Sequence, residues 1–142
     1  MGEDSLKVIE GIENAMNARD WEAWQNLHAE NVVLHSPDSP EPTQGRAKVQ
    51  GWYKAFTEGF PDLDVKQLRL FASGDWVVGE YSVTGTHTGP LPGPKGEIPP
   101  TDKRVTMPSA TVYRVEGGQV AEIHEYFDQQ SFMAQLGLTE SP

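Results

Sequence analysis

Apolar residues recur at helical spacing along roughly the first 60 residues of the chain. One face of the first predicted helix carries its apolar residues, at Leu6, Ile9, Ile12 and Met16. Asp4 or Ser5 would cap this helix, and Asp20 is a typical N-cap for a short second helix that carries two tryptophans. The third helix is the clearest, with an apolar stripe at Val49, Trp52, Tyr53, Phe56 and Phe60. Pro61 ends it, because proline cannot continue the hydrogen-bond ladder of a helix.

Strand patterns dominate the rest of the chain. β-branched and aromatic residues are concentrated in the segments 31–36, 63–71, 76–87, 104–115 and 119–127. In 63–71 the inward positions switch from Leu63 and Val65 to Leu68 and Leu70, and this change of parity predicts a bulge. Helices followed by a run of strands indicate an α+β fold, with the helices packed against one face of an antiparallel sheet.

Residues 85–100 separate two of these strands, and nine of the sixteen are glycine or proline. Because a strand pattern resumes directly afterwards, this density predicts an ordered, irregular loop at the rim of the sheet and not a linker. The loop lacks both the phosphate-binding glycine pattern and a following helix, so nucleotide binding is not expected.

Composition narrows the choice of partners. The 142 residues suit a single domain, 1–142, and 11 basic against 21 acidic residues give a formal net charge of −10, which argues against a nucleic-acid partner. No apolar stretch approaches the ~20 residues of a membrane span, the N-terminus lacks a signal-peptide pattern, and cysteine is absent, so a cytoplasmic location is expected. The histidines form neither an HxH nor an HExxH pair, so no metal site and no cofactor are expected.

The turn between the last two predicted strands decides where Glu125 points. A two-residue turn at Gly117–Gly118 would place Glu125 on the same face as Ala110. A three-residue turn that also includes Glu116 would place Ser109 opposite Glu125. We prefer the three-residue turn, because it separates the apolar residues of both strands from the polar ones, as a half-buried sheet requires.

Glu125 is then the one charged group on the buried face of this hairpin. An ionised carboxylate is costly there unless it is paired, so its pKa should rise toward neutrality, which is typical of a general base. In the other register Glu125 points to solvent and takes no part in chemistry. Asp128 leaves the buried face and directly precedes a predicted C-terminal helix, where aspartate is a preferred N-cap. Glu125 is therefore the expected reacting carboxylate, with Asp128 as the second carboxylate of the candidate catalytic set.

His35 completes that set, since it follows an apolar Val-Val-Leu segment and is placed to reach the concave side of the sheet. The other histidines are expected to be structural. Residues predicted to face inward form the candidate substrate-binding set, namely Ser109, Thr111, Trp52, Phe56, Tyr81, Met107 and Phe127. An apolar cavity with a few polar groups suits a small, largely apolar organic substrate.

Segments along nearly the whole chain resemble the SnoaL-like polyketide cyclases, the ester cyclase group of the NTF2-like superfamily. The segments are "ARDWEAWQNLHAENVVLHSP", "FPDLD", "GTHTGPL", "IPPTDKRV", "YRVEGGQVAEI" and "FDQQSFMAQLGL", in this order. The resemblance implies a cone-shaped α+β barrel, in which a curved antiparallel sheet wraps around three N-terminal helices and a short C-terminal helix follows. It also implies a deep apolar cavity and a homodimer formed through the outer face of the sheet.

In the cyclases of this family a carboxylate on the last strand, three residues before the capping aspartate, is the acid/base for an intramolecular aldol closure. The resemblance assigns that role to Glu125, one methylene longer than the aspartate of the family, and it favours the three-residue turn. Where the cyclases carry glutamine and histidine on the neighbouring strand, this chain has Ser109 and Thr111. His35 stands near a position at which they have asparagine.

The leading hypothesis is a cofactor-free enzyme in which Glu125 removes a proton α to a carbonyl group. Ser109 or His35 would hydrogen-bond the enolate oxygen, and the carbanion would close a ring or be reprotonated elsewhere. One alternative is a non-catalytic ligand-binding or dimerisation module. Another is a hydrolase of the epoxide-opening type, whose relatives use an Asp-Arg-Asp arrangement, whereas Arg104 and Arg114 are predicted to lie on the opposite face.

Overall fold

In the computed structural model, which describes residues 2–93 and 96–138, helices cover the concave face of a curved sheet. The helices are α1 (Gly2–Ala18), α2 (Trp21–Asn26), α3 (Arg46–Gly59) and α4 (Gln129–Gln135). The strands are β1 (His28–His35), β2 (Thr43–Gln44), β3 (Asp64–Ser73), β4 (Trp76–Thr86), β5 (Leu91–Gly93), β6 (Gly96–Ile98), β7 (Arg104–Glu116) and β8 (Gln119–Phe127). The predicted α+β class, with three N-terminal helices and a short C-terminal one, is confirmed.

The main sheet has six strands in the order β2-β1-β8-β7-β4-β3. Its neighbours are antiparallel except for β1 and β8, which run parallel, so the prediction of a wholly antiparallel sheet is wrong at this pair. Parallel neighbours need a long crossover connection. The chain supplies one here, because α3 and most of the sheet lie between β1 and β8 in sequence.

The predicted rim loop contains a small hairpin of its own, since β5 and β6 pair with each other and not with the main sheet. The prediction of wholly irregular structure there is therefore wrong. Pro94 and Lys95, at the tip of this hairpin, lie outside the described residues. None of the described helices is long and apolar enough to cross a membrane.

Two groups of buried apolar residues hold the helices against the sheet. The larger lies between α1, α2 and the sheet, where Ile9, Trp24 and Val120 are almost fully buried. The smaller lies at the other end of the concave face, where Phe60 and Phe132 meet beneath the rim loop. Burial of each large apolar side chain contributes about 1.5–3 kcal/mol. Space is left between the two groups, and the candidate site occupies it.

One of the two N-terminal helix caps predicted from neighbouring residues is confirmed, and the other is not. Asp20 caps α2 as predicted, accepting a hydrogen bond from the Ala23 amide at 3.1 Å. The predicted cap of α1 at Asp4 or Ser5 is wrong, because that helix already begins at Gly2. The buried Ser5 hydroxyl instead donates to the Gly74 carbonyl in the turn between β3 and β4, at 3.3 Å. Ser5 therefore forms a long-range hydrogen bond to the sheet instead of capping its own helix.

The predicted bulge in β3 is confirmed, since the pairing with β4 shifts between Gln67 and Arg69. Leu68 is the extra residue at this shift, and its side chain is 48% exposed, so its predicted inward position is wrong. Val65 and Leu70, on either side of the bulge, both face the concave side, as the change of parity predicts.

The turn between β7 and β8 differs from the prediction, yet Glu125 still points inward. Gly117 and Gly118 alone form the turn, both with positive φ (59° and 81°), which glycine adopts without strain. A shift in pairing then leaves Ala121 as an extra residue in β8, and Thr111 instead of Ser109 lies opposite Glu125. The two-residue turn reverses the predicted parity and the bulge reverses it again, so Ile123, Glu125 and Phe127 face inward as predicted. Ala121, which was predicted to face inward, does not, and Val120 is buried in its place.

Gly89 provides a test of how the rim loop is attached to α3. A β-carbon at this position would lie 1.9 Å from the Glu58 carbonyl oxygen, which is backbone and cannot move aside. We expect Gly89→Ala to lower the free energy of unfolding by about 1–3 kcal/mol, as overpacking does. The matched control is Gly51→Ala, on the exposed side of α3 with nothing within 4 Å, which should gain about 0.5–1 kcal/mol. Urea denaturation of both variants checks this, and equal effects would contradict it.

Candidate active site

A cavity of about 110 Å³ opens between α1, α3 and the inner face of β3, β4, β7 and β8. Its wall is mostly apolar, with a few hydroxyl and carboxyl groups pointing into it. The structure brings the whole predicted substrate-binding set to this wall, namely Ser109, Thr111, Trp52, Phe56, Tyr81, Met107 and Phe127. These residues come from four separate elements, α3, β4, β7 and β8, so the sheet and α3 together shape the cavity.

Glu125 lies half-buried on this wall, and both of its carboxylate oxygens accept hydrogen bonds. The Thr111 hydroxyl donates to Oε1 at 2.8 Å from the paired position of β7, and the Tyr53 hydroxyl donates to Oε2 at 2.6 Å from α3. Burial raises the pKa of Glu125 above its ordinary value, the two hydroxyl donors oppose that rise, and the nearby charge of Asp38 adds to it. The carboxylate is thus held in one orientation, and none of the described residues supplies it with a cationic partner.

Tyr53 is a site residue that sequence reasoning missed. Its position in the apolar stripe of α3 indicated a core residue, and only the packing of α3 across β8 brings its hydroxyl to Glu125. Burial and the Glu125 charge raise the pKa of Tyr53 well above its ordinary value, so the hydroxyl keeps its proton and remains a donor.

A second carboxylate, Glu13 of α1, also lines the cavity. The Tyr81 hydroxyl donates to Glu13 Oε2 at 2.6 Å, and the Tyr81 and Tyr113 oxygens are 3.3 Å apart. With its amide nitrogen turned toward Glu13, Gln67 donates to the same carboxylate at 2.8 and 3.2 Å. Burial raises the pKa of Glu13, and the hydrogen bond from Tyr81 partly offsets this. The sequence signal was weak, because Glu13 merely follows Ile12 at the edge of the apolar stripe of α1.

His28 also contributes to the cavity wall, at the start of β1. Its Nδ1 lies 2.7 Å from the Trp24 carbonyl oxygen, and its ring stacks on the Trp24 ring at 3.6 Å. Burial, which outweighs this hydrogen bond, lowers the pKa of His28 to about 4. The imidazole is therefore neutral near pH 7 and adds no positive charge to the cavity.

The comparison with known proteins decides the family. Residues 7–136 match the family described as SnoaL-like polyketide cyclase. The chain belongs to this family. Nogalonic acid methyl ester cyclase of Streptomyces nogalater is 29% identical to it over 92 residues, a match that spans 64% of this chain and 63% of that protein.

Solved structures agree with the family fold. A SnoaL-like protein from Jannaschia sp. CCS1 superposes with a TM-score of 0.87 and 22% identity, covering 99% of this chain and 96% of its own. IdmH of Streptomyces antibioticus superposes with a TM-score of 0.77 and 26% identity, covering 94% and 98% respectively.

The structure removes His35 from the candidate catalytic set of this SnoaL-like chain. Leu34 is fully buried on the inner face, so the next residue of β1 points outward, and His35 is exposed there. Its ring stacks on the His124 ring at 4.5 Å, on the face away from the cavity. The prediction that His35 reaches the concave side is wrong, because strand parity places its neighbour there instead.

Asp128 is placed as a cap and not in the cavity. Its carboxylate accepts a hydrogen bond from the Ser131 amide at 3.0 Å at the start of α4, and it does not appear among the described residues of the cavity wall. No arginine appears there either, since Arg104 is exposed and Arg114 pairs with Glu116 and Glu122. The described cavity thus lacks the Asp-Arg-Asp arrangement of the epoxide-opening alternative.

The outer face carries a group of possible metal ligands that the sequence did not indicate. Ligand atoms of His35, Glu122 and His124 lie within 4.8 Å of one another, because the parallel pairing of β1 with β8 brings them together. The Glu122 oxygens already accept hydrogen bonds from Arg114 at 3.1 Å and from His124 at 2.5 Å. A cation at this position would have to replace both of these hydrogen bonds to Glu122.

The pKa of Glu125 predicts a pH-dependent contribution to stability. Because the folded pKa is raised, folding favours the protonated acid, and this contribution is complete below about pH 4.3 and lost as the pH rises toward the folded pKa. Glu125→Gln cannot titrate, so its stability relative to the original chain should increase across this window. Free energies of unfolding at pH 4, 6 and 8 check this, and a difference independent of pH would contradict it.

The capping role of Asp128 predicts a graded loss of stability. Asp128→Ala should lower the free energy of unfolding by about 1 kcal/mol, because the Ser131 amide loses its acceptor. Asp128→Asn keeps an acceptor oxygen and should differ much less. Urea denaturation compares the two variants, and equal losses for asparagine and alanine would show that the charge of Asp128, and not its acceptor oxygen, is what stabilises the helix.

Proposed function

We propose that this chain is an enzyme that acts on a small, largely apolar carbonyl compound, with Glu125 as its general base. The observation that supports this most directly is a carboxylate inside an apolar cavity, oriented by the Tyr53 and Thr111 hydroxyls and without a cationic partner. Such a carboxylate is a stronger base than an exposed one, since burial raises its pKa toward the working pH.

The proposed first step is removal of a proton from the carbon next to a carbonyl group. The C–H bond breaks, its proton goes to a Glu125 oxygen, and its electron pair moves onto the carbonyl oxygen as an enolate. Ser109 is the candidate donor to that oxygen, because it lies on the cavity wall while His35 lies outside it. A hydrogen bond to developing negative charge is worth most where water is excluded.

The enolate can then react in one of two ways. Its carbon attacks a second carbonyl group of the same molecule, which closes a ring, or it is reprotonated elsewhere, which isomerises the substrate. The family is consistent with both ring closure and isomerisation. The relative from Streptomyces nogalater is named as a cyclase of a methyl ester, and this name favours ring closure. We therefore propose an intramolecular aldol closure of a neutral, ester-bearing compound as the reaction, with nogalonic acid methyl ester as the first compound to test.

This role of Glu125 predicts the effect of removing its charge. Glu125→Gln keeps the size and the neighbouring hydroxyls, and it should lower kcat by about 10²–10⁴, the usual contribution of a general base. Product formation from nogalonic acid methyl ester and from a panel of 1,3-diketones, followed by chromatography and mass spectrometry, measures the effect. Circular dichroism confirms that each variant is folded.

The matched control is Glu30→Gln, which removes the same charge from an exposed position on β1. It should leave the rate unchanged. If Glu125→Gln has the rate of the control, Glu125 is not the base. If the original chain binds these compounds without converting them, the domain is a binding module and the enzymatic proposal fails.

A further inference from the structure

The cavity holds two carboxylates on different walls, and only Glu125 has a role in the mechanism above. Glu13 reaches the cavity from α1, on the opposite side from β8. Side-chain hydroxyls of β4 and β7 lie between the two. They form a continuous series from Glu125 through Thr111, Tyr113 and Tyr81 to Glu13.

Three of the four links of this series are contacts of 3.3 Å or less. Thr111 donates to Glu125 at 2.8 Å, and its hydroxyl is also the neighbour that lowers the pKa of Tyr113, two residues along the same strand. The Tyr113 and Tyr81 oxygens are 3.3 Å apart, and Tyr81 donates to Glu13 at 2.6 Å. All three hydroxyl residues are buried, so bulk water does not compete for these contacts.

Resting on the function proposed above, we propose that Glu13 is a second acid–base group of the cavity and that the three hydroxyls carry a proton between it and Glu125. One carboxylate then removes a proton from the substrate while the other supplies one. The hydroxyl series is referred to below as the Thr111–Tyr113–Tyr81 chain. After each turnover it returns both carboxylates to their starting protonation states.

The described wall of the cavity offers no cation that would hold either carboxylate ionised. Glu125 faces Tyr53 from α3, Thr111 from β7 and the charge of Asp38 from the loop after β1. Glu13 faces Tyr81 from β4, Gln67 from β3 and Glu10 from its own helix. The described wall includes neither lysine nor arginine, and His28 is neutral. Without a cation, ionising both carboxylates in an apolar cavity is unfavourable.

The hydrogen-bond directions are compatible with proton transfer. Each hydroxyl has one proton, so when Tyr81 donates to Glu13 the contact between the two tyrosines is made by the Tyr113 proton. After Glu125 gains a proton, the Thr111 hydroxyl can turn from Glu125 toward Tyr113. Four short transfers then move one proton from Glu125 through Thr111, Tyr113 and Tyr81 to Glu13, and no side chain has to leave its place.

Ring closure balances with these two groups alone. The α C–H bond breaks, its proton goes to ionised Glu125, and its electron pair forms the enolate. The enolate carbon bonds to the second carbonyl carbon, whose π electrons move onto oxygen. That oxygen takes a proton from protonated Glu13, either directly or through the Tyr81 hydroxyl. Transfer along the Thr111–Tyr113–Tyr81 chain then returns the proton of Glu125 to Glu13, so no co-reactant is consumed.

The first experiment separates the two halves of the reaction. In D₂O with nogalonic acid methyl ester, exchange of the α-proton requires only Glu125, whereas ring-closed product requires both carboxylates. For Glu13→Gln we expect closure to fall by about 10²–10⁴ and exchange to fall by less than about tenfold. The control, Glu30→Gln, removes the same charge from an exposed position on β1 and should affect neither measurement.

The outcomes distinguish the two proposals. If the original chain catalyses neither exchange nor closure, the proposed function fails for this compound. If Glu125→Gln abolishes both while Glu13→Gln affects neither, the function stands and the role of Glu13 is overturned. Equal losses of exchange and closure in Glu13→Gln would also overturn it, because Glu13 would then affect only binding or folding.

A second experiment tests the hydroxyl chain without any substrate. Carbon-13 NMR of the side-chain carboxyl groups follows Glu125 through a pH titration, and we expect two steps because Glu13 titrates on the same network. In Tyr113→Phe, in Tyr81→Phe and in Glu13→Gln the Glu125 curve should collapse to a single step. Tyr126→Phe, at an exposed position of β8, should keep both steps. A single step in the original chain, or two steps that survive both phenylalanine variants, would overturn the proton chain.

Discussion

The pairing of β8 with β7 is the constraint on which the site depends. Thr111 lies opposite Glu125 in this pairing, and a single-residue slip of β8 would move the Glu125 side chain to the outer face. The register is held from both sides, because β8 is also hydrogen-bonded to β1 and because its buried Val120 and Ile123 belong to the core. The carboxylate therefore points into the cavity as a consequence of how the whole sheet is packed.

Hydroxyl groups, and not cations, determine the electrostatics around that carboxylate. Tyr53 reaches it from α3 and Thr111 from β7, and tyrosines of β4 and β7 surround the second carboxylate on α1. A hydroxyl orients a carboxylate and stabilises its charge only partly, whereas a buried lysine or arginine would hold it permanently ionised. The described wall of the cavity supplies hydroxyls of this kind and neither lysine nor arginine.

Short-range patterns in the sequence were sufficient to predict most helices and strands. They could not predict which strands pair or in what register. The helical stripes, the Asp20 and Asp128 caps and the β3 bulge all follow from spacing within one segment. The inward face of Glu125 was predicted through a wrong turn, and the unforeseen bulge at Ala121 restored the parity. Tyr53 and Glu13 were missed because their neighbours in space come from strands far away in sequence, and His35 was misplaced because the side on which β1 joins the sheet was unknown.

The Trp52 indole donates to both oxygens of Asp38, at 3.0 and 3.3 Å, which fixes a third acid close enough to influence Glu125. Together with the net charge of −10, this gives the cavity a negative potential that no described cation of its wall offsets. A ligand with a free carboxylate would be repelled at short range, while its neutral ester would not. By this argument an uncharged compound is better suited to the cavity than an anionic one of the same shape.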